Sequence, residues 1–462
     1  MIRIDVLPDD VLLGIFYFFV DTIPSLGPKP VIEAWQLLVH VCRRWRSIVF
    51  GSPRHLNLRL LCTPETPVRD RLDVWPALPL LIWGNTTFSP GMDNIVIALG
   101  QANRVCQVSL DGLLGWQLEY VSAAMQVPFP ELKLLHLSSY DEMRRPVIPD
   151  SFLGGSAPHL RTFELEGILF PGLPNLLLSA THLFHLDLSL PHSGYISPEA
   201  MADLLSMLSS LQTLALEFQS QLSRPDEDSR RPPPSNRFVI PALKSFSFDG
   251  VIEYLEVLVT YFDAPQLNHL LPTFFNQIDF DCPPLAQFIS RTPILADLPN
   301  CDAHVQLCES ATSVRLPSHL RKSAILVEIL CTFGEPVRQL SSIAQVCNTC
   351  LPPLSMIESL YVEYGYSHMV WENNAVENAQ WLELLLPFPA VKKLYLSKDF
   401  APGIAASLQD FVGTEVLPSL QNIFVEGLEP YGPFQENIGQ FVATRELSGH
   451  PITISVWNRL GR

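Results

Sequence analysis

The sequence predicts an α/β fold, with a small helical domain at the N-terminus followed by a solenoid whose parallel strands line a concave face. Three observations support this prediction. A short apolar pattern recurs along most of the chain at a nearly constant spacing. Stretches with helical spacing of apolar residues separate the copies of this pattern. The first fifty residues lack the pattern and instead show helical spacing on both sides of a loop.

The composition narrows the class of protein. Apolar residues make up 47% of the chain and charged residues only 17%, which fits a solenoid because each unit buries its flanks on its neighbours. The net charge of −17 disfavours nucleic acid and anionic membranes as partners. The longest apolar run, 11–20, is shorter than the roughly 20 residues that span a bilayer. It follows two acids, so we do not expect a signal peptide.

Cysteine and histidine give no sign of a metal centre. The nine cysteines are scattered and odd in number, which predicts reduced thiols and a cytoplasmic or nuclear location. The motif CNTC at 347–350 lacks the second pair that a zinc site needs. The stretch DFD at 279–281 is typical of acids flanking a strand, and the twelve histidines show no ligand spacing. We therefore expect neither a metal nor a cofactor.

The repeated pattern is L-x-x-L-x-L, with any large apolar residue allowed at the apolar positions. Its nine copies begin at Val105, Leu132, Leu160, Leu183, Leu211, Leu243, Ile357, Val391 and Leu420. Apart from one long gap, the starts lie 23 to 34 residues apart. This spacing is close to the roughly 20 to 29 residues of leucine-rich repeats. The last two apolar positions flank a polar one, as in a strand with one buried face.

The stretches between the copies complete the predicted organisation. Helices are predicted at 199–211, 251–262, 380–387 and 404–412, and weaker strands in the long gap at 277–280, 304–307, 313–316 and 325–330. The charged, proline-rich segment 223–236 predicts a disordered insert between two repeats. We divide the chain into a helical domain at 1–60, a connecting segment at 61–100 and a solenoid at 101–462.

The N-terminal region pairs apolar helical faces with positive charge. Asp9 and Asp10 stand where acids favour the start of a helix. A second helical stretch, 34–50, carries arginines beside its apolar face. A domain below about 60 residues is hard to stabilise alone. Its apolar faces therefore need a partner, which the residues alone leave open as either the solenoid or another protein.

Two stretches of the N-terminal region resemble the F-box, whose pattern is Leu-Pro-x-acid, an aliphatic helix and Val-Cys-x-x-Trp. They are LPDDVLLGIF (7–16) and VCRRWRSIV (41–49). The loop at 21–33 is longer than in the usual pattern. Two further stretches are similar to F-box families of mushroom-forming fungi that carry leucine-rich solenoids. They are SPRHLNLRLLCT (52–63) and LPLLIWG (78–84). The resemblance implies docking on a Skp-family adaptor, and through it a cullin, in a ubiquitin ligase. By position, it implies an adaptor contact made by Leu7, Pro8, Leu12, Ile15, Val41, Cys42 and Trp45.

The residue between the last two apolar positions of each repeat points to the concave face. Along the chain this position holds Ser109, His136, Glu164, Asp187, Ala215, Ser247, Tyr361, Tyr395 and Phe424. If the last three repeats are adjacent, their aromatic residues form an exposed ladder that binds a protein substrate. Two positions further on stand Glu363 and Glu426, which favour a basic substrate. The alternatives are core packing for the aromatics and turn chemistry for acids that precede a glycine.

We find no motif of a serine hydrolase, a zinc protease, a dinucleotide-binding site or a P-loop in the sequence. We therefore predict that the protein is not an enzyme. The resemblance to the F-box implies instead a substrate-recognition subunit of an SCF-type cullin–RING ubiquitin ligase. The alternatives are a leucine-rich-repeat scaffold with no ligase role, and a hydrolase whose active site is assembled from distant residues.

Overall fold

A computed structural model describes residues 7–22, 34–87, 91–141, 147–218, 236–275, 280, 282–296, 302–317, 324–331, 336–365, 376–410, 416–428 and 432–458. The chain divides into two compact units, Met1–Gly194 and Tyr195–Arg462. Each unit combines helices with a mostly parallel sheet, so the predicted α/β class is confirmed. The predicted insert at 223–236 and the stretch 277–281 lie outside the described residues, apart from Asn236 and Phe280.

The first unit begins with three helices and continues as alternating strands and helices. Its elements are α1 (Asp9–Thr22), α2 (Ala34–Val39), α3 (Arg43–Gly51), β1 (Leu60–Cys62), α4 (Val68–Val74), β2 (Leu80–Asn85), α5 (Met92–Leu99), β3 (Val105–Asp111), α6 (Gly115–Ala124), β4 (Leu134–Ser138), β5 (Thr162–Glu166), α7 (Leu173–Ser179) and β6 (His185–Leu190). The strands pair in parallel in chain order. The parallel ladder thus begins with β1 and β2, in the stretch for which the sequence predicted only a connecting segment.

The second unit is larger and less regular. Its elements are α8 (Pro198–Met207), β7 (Thr213–Phe218), β8 (Phe238–Val239), β9 (Ser245–Gly250), α9 (Ile252–Leu258), β10 (Phe262–Asp263), β11 (His269–Phe275), α10 (Pro283–Arg291), α11 (Pro293–Ala296), β12 (Asp302–Leu307), β13 (Ala311–Pro317), β14 (Ala324–Leu330), α12 (Pro336–Thr349), β15 (Ser359–Tyr364), α13 (Asn378–Leu385), β16 (Lys393–Leu396), α14 (Ala401–Asp410), β17 (Asn422–Glu426), α15 (Pro433–Leu447) and β18 (Thr453–Trp457). The order of its main strands is β7-β9-β11-β14-β13-β12-β15-β16-β17-β18, and β8 pairs separately with β10.

Each of the nine copies of the apolar pattern coincides with a strand. Burial alternates along these strands as the pattern requires. In β5, Phe163 and Leu165 are buried while Thr162, Glu164 and Glu166 are half-buried. The core of each unit therefore lies on the side of its strands that carries the patterned apolar residues, and the intervening side chains occupy an opposite, open face.

The expectation of parallel strands throughout is wrong for β13, which lies between β12 and β14. Strand β13 is antiparallel to both of its neighbours. The reason is the length of the connections. Residues 308–310 join β12 to β13, and 318–323 join β13 to β14. A parallel crossover needs a dozen or more residues, so these short connections allow only antiparallel hairpins.

The expectation that all cysteines are reduced is also wrong for one pair. Cys282 and Cys350 form a disulfide with their Cα atoms 5.8 Å apart. Cys282 precedes α10 and Cys350 follows α12, so only the tertiary fold brings them together. In the CNTC motif, Cys350 is thus bonded, while Cys347 is a buried free thiol whose pKa is raised to about 12 by burial. No helix in the described part of the chain is long and apolar enough to cross a membrane.

We predict that the disulfide stabilises the second unit. It closes a loop with a sequence separation of 68 residues, for which the loss of chain entropy in the unfolded state corresponds to about 4 kcal/mol. The double variant Cys282→Ala/Cys350→Ala should lose stability of this order in urea unfolding. Reductant should destabilise the wild type and leave the double variant unchanged. Equal responses of the two proteins to reductant would contradict the bond.

Candidate functional site

Three stacked aromatic rings lie side by side on the open face of the second unit. Tyr361 is in register with Tyr395, and Tyr395 with Phe424. The ring centroids lie 4.2 Å and 4.6 Å apart, with interplanar angles of 12° and 10°. The last three copies of the pattern are therefore adjacent, as the ladder prediction required. Parallel pairing fixes this contact because it sets equivalent side chains one strand spacing apart.

The ladder has a fourth member that the sequence analysis missed. His304 in β12 is in register with Tyr361, and its ring stacks on the tyrosine at 4.4 Å with an angle of 5°. We call His304, Tyr361, Tyr395 and Phe424 the aromatic ladder. His304 holds the same place within its strand as Tyr361 does. The weak strand predicted at 304–307 could therefore have identified His304 as a member of the row.

The aromatic ladder is less exposed than predicted. Tyr361 is only 2% exposed, and Tyr395 and Phe424 are half-buried. The stacked rings cover each other's faces, and Trp457 of β18 also packs against both tyrosines. The prediction of an exposed surface is therefore wrong for Tyr361. Any contact with a partner falls mainly on Tyr395 and Phe424.

The two predicted acids lie beside the ladder, two positions further along their strands. Glu363 is in register with Gln306, and Glu426 with Trp457. Both side chains are half-buried. Gly427, which follows Glu426, has a φ of 60°, so a turn in the left-handed region ends this strand. The turn explanation therefore applies to Glu426 whether or not it contacts a substrate.

A chain of histidines and carboxylates occupies the open face of the first unit. The Nε2 atom of His136 lies 2.7 Å from Oδ1 of Asp111, and its Nδ1 atom lies 2.8 Å from Oε2 of Glu164. The Nε2 atom of His185 lies 3.3 Å from the other oxygen of Glu164. Sequence analysis placed His136 and Glu164 on this face but did not anticipate their contact. The two residues hold the same position in consecutive repeats, and this could have predicted their contact.

We call Asp111, His136, Glu164 and His185 the histidine–carboxylate chain. Their contacts favour the charged forms of His136 and Glu164. The hydrogen bond with Glu164 raises the pKa of His136 to about 9, and Asp111 adds to the effect. Hydrogen bonds with His136 and His185 lower the pKa of Glu164 to about 2. His136 is thus an imidazolium at neutral pH, with a carboxylate at each nitrogen. It has no free lone pair to act as a base or a metal ligand.

The N-terminal helices place the seven residues of the predicted adaptor contact in different environments. Leu12 is 0% exposed, so its assignment to a contact surface is wrong: it faces the interior of the helical segment. Trp45 is half-buried, with its ring 4.7 Å from that of Phe16. Ile15, Val41, Pro8 and Cys42 are exposed, and Leu7 is half-buried.

Helix α1 carries an exposed apolar face that the sequence analysis recognised only in part. Ile15 is 44% exposed and Phe18 is 69% exposed, and Val11 lies one turn before Ile15. The spacing i, i+4, i+7 puts these three side chains on one side of the helix. We call Val11, Ile15 and Phe18 the α1 face. Val41 adds exposed apolar surface at the end of α2.

Two arginines of the helical segment, Arg44 and Arg46, make contacts within the chain. Arg44 donates from its Nη2 to Oδ1 of Asp9 at 2.6 Å and to the carbonyl of Leu7 at 2.6 Å. Arg46 donates from its Nε to the carbonyl of Val39, the last residue of α2, at 3.0 Å. A cation at a helix C-terminus and an acid at a helix N-terminus both complement the helix dipole. These charges therefore fix the helices relative to one another.

Comparison with known proteins leaves the family open. No protein-family model matches this sequence, and a search of curated proteins finds none that is significantly similar. Among the described residues there is also no group of three histidine, cysteine or acidic side chains arranged to hold a metal ion. The aromatic ladder, the α1 face and the repeated strands are therefore the features that bear on function.

The histidine–carboxylate chain predicts a pH dependence of stability. His136 has a folded-state pKa of about 9 against 6.5 for the free side chain, so its contribution is complete below pH 6.5 and is lost as the pH rises towards 9. Glu164 adds stability above pH 4.5 that is lost as the pH falls towards 2. Because the carboxylates are partly exposed, we expect a fall of about 1–2 kcal/mol in the free energy of unfolding between pH 6.5 and 9.

Urea unfolding at each pH tests this prediction. His136→Gln should remove most of the fall on the alkaline side. The matched control is His159→Gln, which replaces an exposed histidine of the same unit and should keep the wild-type profile. A wild-type profile in the His136 variant would rule out this contribution.

Proposed function

We propose that the chain is the substrate-recognition subunit of an SCF-type cullin–RING ubiquitin ligase. In this proposal the N-terminal helices form an F-box that docks on a Skp-family adaptor, and through it on a cullin. A leucine-rich-repeat-like solenoid binds the protein substrate. The single observation that carries the proposal is the α1 face, because exposed apolar side chains grouped on one side of a short helix are typical of a protein interface.

The repeat architecture supports a binding role for the rest of the chain. Strands β1 to β6 pair in parallel in chain order, with helices between most of them, as expected for a solenoid of leucine-rich repeats. Such repeats carry one row of side chains from strand to strand on the open face. The aromatic ladder is such a row, in which Tyr361 is buried and Tyr395 and Phe424 are half-buried. We assign substrate binding to Tyr395 and Phe424, with Tyr361 supporting them and Glu363 and Glu426 favouring a basic substrate.

The alternative is a leucine-rich-repeat scaffold in which the helices only cap the repeats. One observation favours it. Trp35 of α2 is buried, its ring lies 5.2 Å from that of Trp75 beside α4, and its Nε1 donates to the carbonyl of Arg59 at 3.1 Å. The helical segment is thus packed against the first strand–helix unit. This contact leaves the α1 face exposed, so adaptor binding decides between the two functions.

The ligase proposal implies a cytoplasmic or nuclear location, where such adaptors act. The Cys282–Cys350 disulfide is unusual for these compartments, where thiols are kept reduced. Both cysteines are fully buried, so a reductant reaches the bond only when this part of the chain unfolds. Localisation of the tagged chain in its host tests this part of the proposal.

The first prediction of the proposal concerns the adaptor. Ile15→Glu/Phe18→Glu places two charges on the α1 face and should weaken adaptor binding by about 2–4 kcal/mol, more than tenfold in affinity. The measurement is the dissociation constant of the purified adaptor for the full chain. Val74→Glu, on an exposed apolar residue of α4, is the matched control and should bind as the wild type. Unchanged binding by a folded double variant would reject the F-box assignment.

The second prediction concerns the substrate. Tyr395→Ala/Phe424→Ala removes the two more accessible ladder rings and should abolish most of the proximity-labelled partners of the wild type. Adaptor binding should persist, because the α1 face is unchanged. If the labelled set stays the same, the substrate surface lies elsewhere on the chain.

A further inference from the structure

The last strand of the second unit places an indole against the aromatic ladder. The ring centroid of Trp457 lies 5.6 Å from that of Tyr395 and 6.0 Å from that of Tyr361. The rings are tilted by 66° and 54°, within the edge-to-face arrangements that aromatic pairs prefer. Trp457 is only 8% exposed. Most of the indole surface is therefore removed from water by packing on the open face.

Trp457 is not itself a member of the ladder row. The residue of β18 in register with Phe424 is Ser455, whereas Trp457 is in register with Glu426. The indole thus starts two residues beyond the row, and its ring reaches past β17 to rings on β16 and β15. Trp457 therefore packs on the tyrosine rings without belonging to their row, as the side chain of a bound partner would.

The strand that carries Trp457 is weakly held. Strand β18 ends the sheet and pairs only with β17 among the described strands. Trp457 is the one buried residue of β18, and Val456 is 65% exposed. By contrast, β17 buries Ile423 and Val425. Segments with few buried apolar contacts open at a low cost in free energy, so β18 can separate from the sheet more easily than its neighbours.

We propose that Trp457 is an internal occupant of a binding site for an aromatic side chain. The indole holds the place on Tyr361 and Tyr395 that a tryptophan of a protein partner takes when β18 moves aside. The inference rests on the proposed role of this open face in substrate binding and specifies the residue that the face recognises. The last strand then acts as an internal competitor of the substrate.

The identity of the occupant favours an aromatic side chain over a basic one at this position. The indole already seated there shows which shape and chemistry fit against the two tyrosines. The neighbouring charges are of both signs, since Lys393 lies two positions before Tyr395 on the same face as Glu363. These charges give no clear preference for a cation on the rings themselves. A basic segment of the substrate would instead contact the acids beside the ladder.

Direct binding of a small probe tests the proposal on the full chain. The probe is N-acetyl-tryptophanamide, and isothermal titration or ligand-observed NMR gives its affinity. If Trp457 covers the site in at least nine of ten molecules, removing it by Trp457→Ala should raise the apparent affinity at least about tenfold. The further change Tyr395→Ala in that variant should abolish the gain. Equal binding by the wild type and Trp457→Ala would overturn the inference.

Two controls establish that the gain belongs to this site and this chemistry. Trp116→Ala, at an exposed tryptophan of α6 in the first unit, should bind the probe as the wild type does. N-acetyl-argininamide and N-acetyl-leucinamide should show no gain with Trp457→Ala. A gain for the arginine probe equal to or greater than that for the tryptophan probe would overturn the aromatic assignment.

Hydrogen exchange of the wild type provides a test that does not depend on the folding of a variant. The amides of β18 should exchange faster than those of β17, and saturating probe should increase their exchange further. Protection of β18 equal to that of β17, unchanged by the probe, would overturn the inference. Neither measurement involves the adaptor, so failure of adaptor binding and failure of this inference are read separately.

Discussion

Burial of alternate apolar side chains, in register from strand to strand, is the interaction on which the other features depend. Leu135, Phe163 and Leu186 illustrate it, since they pair in sequence across β4, β5 and β6 and all are fully buried. Once these residues face the core, the intervening residues must share the open face. A shift of one residue would exchange the two faces, so the burial fixes the register. Both the aromatic ladder and the histidine–carboxylate chain are consequences of this constraint.

The same constraint explains which features the sequence could predict. The pattern located the nine strands and the row containing Tyr361, Tyr395 and Phe424, because side-chain alternation and repeat spacing are local properties. The Cys282–Cys350 bond could not be found this way, since it depends on where two distant helices lie. The exposure of Tyr361 depends on packing by Trp457, from a strand that lacks the full pattern. The hairpins of β12 to β14 were readable in principle, because their short connections preclude a parallel crossover.

The N-terminal segment shows a different limit of sequence reasoning. A motif gives the spacing of apolar residues along a helix but not which of two apolar faces turns inward. In α1, Leu12 and Phe16 face the interior, while Ile15 and Phe18 face solvent. The resemblance to an F-box implied a contact by Leu12, and the burial of that residue moves the candidate contact to the other side of the helix. Two arginines of the second helical stretch, Arg44 and Arg46, connect α3 to α1 and α2.

Strands β12, β13 and β14 lie in the sheet in the reverse of their order along the chain. This arrangement determines how strands can be added to the repeat array or lost from it. Strand β14 runs parallel to β11 and β12 runs parallel to β15, so the direction of the sheet is the same on both sides of the three strands. The pair β12 and β13 is therefore a module that adds two strands without altering the polarity of its neighbours. Its loss would let β14 meet β15 in parallel, as in a regular repeat array. The module carries His304, so its loss would also shorten the row of stacked rings by one member.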